Sequence, residues 1–134
     1  MSSVEYSGGC LCGRTRYRIR GATRNHCYCH CRSCRLAAGA PLVAWFSVDQ
    51  DQFELLQGEL RMLRATPKAE RGFCAHCGTA LSYAHDDRAA DLDITLASLD
   101  LPHDLRPRCH IWLEDKLPWV DLGDGLPGHA RWAK

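Results

Sequence analysis

Apolar and polar positions alternate through "RTRYRIRG" (14–21), putting Thr15, Tyr17 and Ile19 on one face and arginines on the other. That is the period of a half-buried strand. "PLVAWFSV" (41–48) is a compact β-branched and aromatic run opened by a proline, and also reads as a strand. "ELRMLRAT", "RGFC", "TALSYAH", "DLDITLASL" and "RCHIWLED" follow as short segments punctuated by Pro67, Gly72, Gly78 and Pro102. This spacing predicts an antiparallel, mainly β domain. One short helix is expected over 32–40, "RSCRLAAGA", stopped by Gly39 and Pro41. A second helical turn is expected in "DQDQFELL" (49–56). No repeat, linker or low-complexity tract divides the chain, so residues 1–134 read as a single domain.

The chain's 134 residues suffice for a real core, and its apolar and charged fractions, 46% and 25%, are those of a globular protein. Lysine and arginine (17) balance aspartate and glutamate (16) without a basic block, which argues against nucleic acid as a partner. No apolar run of membrane-spanning length occurs, and "MSSVEYSGGC" does not resemble a leader, so the expected location is the cytoplasm.

That compartment changes how the nine cysteines are read. In a reducing environment clustered thiols point to metal binding or catalysis rather than disulfides, and an odd number cannot all pair. "CAHCG" (74–78) has the spacing of a zinc knuckle: two thiolates bite one ion, and the glycine accepts the positive φ of the turn. A knuckle needs a second pair, and "GGCLCG" (8–13) supplies it. Cys10, Cys12, Cys74 and Cys77 are therefore the expected ligands of a closed, structural zinc, with buried free thiols as the plainer alternative.

"CYCHCRSC" (27–34) has four further thiols. Sulfurs on a tetrahedral zinc lie about 3.8 Å apart, given Zn–S of about 2.3 Å. Along an extended strand, alternate side chains are about 6.6 Å apart. Only a sharp bend brings neighbours together, and Cys29, Cys31 and Cys34, running into the helix, can form one. Cys27 would need a second tight bend and is expected to be a small core residue or a redox bystander. Three protein ligands leave a fourth zinc position open, as in catalytic sites. Cys109 could instead fill that position and close the site.

Taken together, "GGCLCG", "CHCRSCRLAAGAPLVAW", "ERGFCAHCGTAL", "DITLASLD" and "HIWLEDKLPWVDLGDGLP" resemble, in order, the glutathione-dependent formaldehyde-activating enzyme (GFA) family, over about 8–127. The resemblance implies a β-tent fold of antiparallel sheets with a short helix, stabilised by zinc. It also implies two zinc ions per chain, at the two cysteine sets above, and glutathione or another thiol as the small-molecule partner. The implied activity is that of a carbon–sulfur lyase joining glutathione to formaldehyde, of the S-(hydroxymethyl)glutathione synthase type. A non-catalytic glutathione carrier or protein-binding module is the alternative. Arg32 and Arg35, beside the ligands, are candidates for the tripeptide's carboxylates, and His110, in "CHIW", is a candidate substrate contact. His30 either faces the substrate or points away. Trp45, Trp112 and Trp119 are expected in the core or in pocket walls.

Overall fold

The computed structural model describes residues 4–133; residues 1–3 and 134, the ends of the expected domain, lie outside them. Among the described residues, ten strands form two sheets, accompanied by one α-helix. The smaller sheet contains β1 (Glu5–Gly9), β2 (Arg16–Arg20) and β5 (Phe53–Gln57) in the order β1-β2-β5. The larger has β3 (Arg24–Cys29), β4 (Val43–Val48), β6 (Leu60–Thr66), β7 (Ala69–Cys74), β8 (Ala80–His85), β9 (Leu92–Thr95) and β10 (His110–Ile111), in the order β10-β3-β4-β9-β8-β7-β6. Helix α1 (Arg32–Ala38) connects β3 to β4.

The inward positions of β2 behave as their alternation predicts. Tyr17 and Ile19 are buried and meet Phe46 and Val48 of β4, Leu81 of β8 and Ile94 of β9 in the main core, while Thr15, buried just before β2, bonds through its hydroxyl to Cys74 Sγ at 3.2 Å. Burying such side chains stabilises the fold by about 1.5–3 kcal/mol each. Tyr17 keeps its hydroxyl satisfied by a 2.6 Å bond to Ser98 Oγ and stacks on Phe53 at 5.3 Å. Gly8, opposite Tyr17 in β1, leaves room for that phenol; a Cβ there would collide with its ring and with the Ser98 carbonyl.

The helical turn expected in residues 49–56 is present as a 3-10 turn, Gln50–Gln52, closed by reciprocal bonds between Asp49 and Gln52; Phe53 then enters β5. Two features differ from the sequence reading. The cysteine-rich stretch begins as a strand, β3, whose pleat buries Cys27 and Cys29 on one side. The larger sheet is not wholly antiparallel: β10 runs parallel to β3 at its edge. The segment 96–109 between β9 and β10 is long enough for the crossover that parallel pairing needs. No helix among the described residues is long and apolar enough to cross a membrane.

Candidate functional site

Two groups of sulfur atoms come together, in different parts of the molecule. Cys10 and Cys12 lie in the β1–β2 connection, while Cys74 ends β7 and Cys77 sits in the turn to β8. Their four Sγ atoms lie within 4.8 Å of one another, with Cys10 to Cys12 at 3.4 Å and Cys12 to Cys74 at 3.9 Å. Those separations bracket the spacing of thiolates on tetrahedral zinc, about 3.8 Å. The surrounding donors also suit thiolates. Thr15 N–H donates to Cys10 Sγ (3.3 Å), and the His76 and Cys77 N–H groups donate to Cys74 Sγ (both 3.4 Å). Bonds from the Thr79 side chain and backbone hold Cys77 down at about 5. Burial acts against ionisation of Cys10, yet the Thr15 N–H and the neighbouring sulfurs bring it down to about 7. Gly78, at φ +83°, makes the knuckle turn without a Cβ penalty. This cluster ties the small sheet to the large one.

The second cluster spans the end of β3 and the start of α1. Cys29 is the last strand residue, Cys31 is the helix N-cap, and Cys34 lies in the first helical turn; their Sγ atoms are again within 4.8 Å. Cys31 is extended (φ −61°, ψ 149°) and its sulfur accepts from Cys34 N–H at 3.3 Å, so the cap itself makes the bend. The Cys29 and Cys34 thiols donate to Cys31 and hold it far below the usual thiol range, at about 2, while Cys29 is pushed strongly up. Arg71 Nη2 lies 3.8 Å from Cys34 Sγ, and its guanidinium covers the Tyr83 ring at 4.6 Å.

A cavity of about 860 Å³ opens on this second cluster, with Cys29, Cys31 and Cys34 in its wall. Trp45, Tyr83, Trp112 and Trp132 supply aromatic surface. Trp112 takes a left-handed backbone (φ 58°), fixed by its N–H on the Arg131 carbonyl at 2.9 Å, and meets Trp132 edge-on at 5.6 Å. Deeper in the wall, Asp93 is buried, accepting from Ser47 Oγ at 2.5 Å and from Arg88 Nη2 at 2.7 Å. Arg88 also binds Asp91 and lies under Trp132 at 5.0 Å.

Cys27 and Cys109 belong to the cavity wall but to neither sulfur cluster. The closest polar contact of Cys109 Sγ is the His26 carbonyl, at 4.0 Å. Neither Arg35 nor His110 lines the cavity. Arg35 turns back to donate to the His30 carbonyl at 3.3 Å, bracing the bend it was expected to flank. His110 is buried, with Nδ1 2.9 Å from His30 Nε2 and Nε2 2.8 Å from Asp124 Oδ2. With the Asp124 carboxylate accepting from His110, that ring's Nδ1 accepts in turn from His30 N–H. His30 therefore points away from the cavity, with Nδ1 buried and unpartnered. Arg32 is at the cavity mouth, exposed, as position suggested. Trp45 and Trp112 line the wall, whereas Trp119 is 68% exposed and serves neither core nor wall. Arg71, Arg88, Asp93, Asp124 and Trp132 were not singled out in the sequence, since each acts only through partners distant in the chain.

Comparison with known proteins bears on the same segments. The family described as glutathione-dependent formaldehyde-activating enzyme matches residues 5–115. A Halomonas elongata protein provisionally named as such an enzyme is 35% identical over 133 residues, covering 86% of this chain and 79% of its own. An uncharacterized lyase of Schizosaccharomyces pombe is 32% identical over 81 residues, 60% of this chain and 58% of its own. A crystal structure of a Rhodobacter sphaeroides protein superposes with a TM-score of 0.55 at 18% identity, covering 92% of this chain and 98% of that one, and so shares the fold. On the extent of the family match and the identity to the Halomonas protein, the chain belongs to the glutathione-dependent formaldehyde-activating enzyme family.

Proposed function

We propose that this chain is a zinc-dependent enzyme of the carbon–sulfur lyase type, acting on glutathione or another small thiol together with formaldehyde or a related aldehyde. The observation that carries the reading is the placing of the three-sulfur cluster in the wall of a large cavity, while the four-sulfur cluster stands apart from it. Cys10, Cys12, Cys74 and Cys77 would hold a structural zinc, and Cys29, Cys31 and Cys34, in the cavity wall, would hold a second. Bound there, zinc supplies the charge that strips the proton from an incoming thiol. In the addition, the thiol sulfur bonds to the carbonyl carbon, the C=O π pair moves onto oxygen, and the thiol proton ends on that oxygen. The chain's own residues set the conditions. Cys31 caps the helix and fixes the bend, Arg71 offsets the charge on the sulfurs, and the tryptophans exclude water. Arg35 and His110 act from behind the wall, holding His30 and the bend. Residues 1–134 are read as one zinc-binding domain of this family, in the cytoplasm, where clustered thiols stay reduced.

A second reading, a carrier that binds the thiol without chemistry, is favoured by one detail. The wall's most buried carboxylate, Asp93, is tied up by Arg88 and Ser47 instead of being poised as a base. Both readings are tested by following the thiol–formaldehyde adduct by NMR with protein at catalytic and at stoichiometric amounts. Acceleration at catalytic amounts, lost in Cys31→Ser while the fold persists, is expected of the enzyme. Acceleration only at stoichiometric protein would leave the carrier standing, and a wild-type cavity that binds no thiol would overturn both.

A further inference from the structure

In the addition proposed above, negative charge gathers on the aldehyde oxygen, and a donor already in place to meet it is commonly the largest source of rate enhancement. That oxygen is bonded to the carbon the thiol sulfur attacks, so its partner comes from the wall around the three cysteines. The apolar cluster that contains Cys29 and Cys34 also holds Trp45 and Ile111, and Tyr83 and Trp112 pack against it. Neighbouring polar groups are engaged elsewhere. Ser33 Oγ is 3.4 Å from Cys31 Sγ, Ser47 donates to Asp93, and Arg88 is divided between Asp91 and Asp93. His85 accepts from the Asp87 N–H, and Asp87 pairs with Lys68. Arg32 stands at the exposed mouth. Arg71 has no carboxylate partner among the described residues, but it is not a lining residue: Nη2 is 3.8 Å from Cys34 Sγ and the guanidinium lies over the Tyr83 ring.

Tyr83 differs from all of these. It lines the cavity, and its hydroxyl has no hydrogen-bond partner among the described residues. The buried unpartnered polar atoms are Arg18 Nε and His30 Nδ1, so the phenol oxygen is not sealed in the core but open to the cavity. The ring is held by Trp45, with centroids 5.8 Å apart, and by the Arg71 guanidinium, 4.6 Å from its centroid. A phenol keeps its proton at neutral pH, and burial pushes this one up to about 12. Trp45 and Trp112 offer only indole N–H groups, which are less acidic and poorer donors to an oxyanion. We infer that Tyr83 is a catalytic residue, its hydroxyl donating a hydrogen bond to the aldehyde oxygen that strengthens as charge develops there. This rests on the three-cysteine cluster being the thiol site, and it adds the group that receives the second reactant. Tyr83 keeps its own proton throughout. The thiol sulfur bonds to the carbonyl carbon, the π pair moves onto the oxygen held by the phenol O–H, and the proton given up by the thiol reaches that oxygen by way of solvent.

The test compares the zinc-loaded full chain with Tyr83→Phe, which keeps the ring on Trp45 and Arg71 and removes only the hydroxyl. Adduct formation from glutathione and formaldehyde is followed by NMR, with rates expressed per zinc retained so that partial loss of fold does not enter. Calorimetry measures binding of glutathione alone and of its formaldehyde adduct. In Tyr83→Phe, kcat should fall about tenfold to hundredfold, since the bond is strongest in the transition state. Binding of glutathione alone should not change. Binding of the adduct, whose oxygen the phenol holds, should weaken about two- to tenfold, as one lost neutral hydrogen bond predicts. A wild-type kcat in Tyr83→Phe would overturn this inference alone. So would equal weakening of thiol and adduct with kcat unchanged, which would make the hydroxyl a thiol contact. A wild-type protein that gives no acceleration at catalytic amounts would overturn the enzyme reading, and the catalytic role of Tyr83 with it.

Discussion

Replacing His110 with phenylalanine would test whether the buried histidine pair is what holds the three-cysteine bend. Phenylalanine retains the ring that stacks on Tyr28 at 4.9 Å but removes both nitrogens. The bond to Asp124 is lost at modest cost, because that carboxylate is 39% exposed and can rehydrate. His30 has no such recourse. It is fully buried, its Nδ1 is already unpartnered, and the substitution strips Nε2 of its acceptor as well. An orphaned buried donor costs about 1–3 kcal/mol, and the lost bond to Asp124 about 0.5–1.5 kcal/mol, so the variant should lose about 1.5–4.5 kcal/mol. Removing both polar partners is milder than removing one, so His30→Phe/His110→Phe should cost less than the two single changes added together. The assay is urea unfolding at fixed free zinc, with the rate of zinc release to a chromophoric chelator as a local readout. Release from one of the two sites should accelerate in the single variant and partly recover in the double. A loss below about 0.5 kcal/mol in His110→Phe, or strict additivity in the double variant, would refute the reasoning.

Other outcomes follow from separate parts of the molecule. Cys77→Ser should lower the thermal midpoint steeply and abolish one bound zinc, because that cluster joins the sheets, whereas Cys31→Ser retains a helix-cap acceptor and should lose one zinc with little change in far-UV circular dichroism. Burial pushes the Tyr17 phenol up to about 12, so its neutral form is favoured by folding; that stability is fully present below pH 10 and is lost as pH rises through 12. Urea midpoints measured between pH 8.5 and 11.5 should therefore fall more in the wild type than in Tyr17→Phe. Gly58→Ala should destabilise by about 1–3 kcal/mol, since Gly58 sits at φ +84° and a Cβ would lie 2.6 Å from the Thr15 Cα. Calorimetric melting would show it, and an unchanged midpoint would discount the close approach.

The segments legible in the sequence were those whose neighbours impose a single period. β2 alternates cleanly because one face packs on Phe46 and Ile94 while the other is solvated, and the helix could be placed because Gly39 ends it in a left-handed cap. The cysteine sets were legible because their short spacings are those that can bring sulfurs together, as they do in both clusters. β3 was hidden because its cysteines invited a reading by chemistry, although the same pleat that buries Cys27 and Cys29 is what spaces them. β10 could not be read as parallel, since two residues against an edge strand leave no period of their own. The polar supports were invisible for a different reason. Arg88 matters through Asp93 and Trp132, and Asp124 through His110 and His30, so their roles exist only once strands far apart in the chain are side by side.

The two sulfur clusters also differ in how they come into being on the ribosome. Cys29, Cys31 and Cys34 emerge almost together, whereas Cys12 must wait for Cys74, 62 residues later. At about 5–20 residues per second, that interval is on the order of 3–12 s. During synthesis the local triad is thus presented to the cell's metal pool well before the site that fastens the sheets can close. Until Cys74 and Cys77 arrive, Cys10 and Cys12 lack their partner sulfurs, so if this cluster holds the zinc proposed above, the β1–β2 loop is the point at which oxidation or a wrong metal would first divert folding.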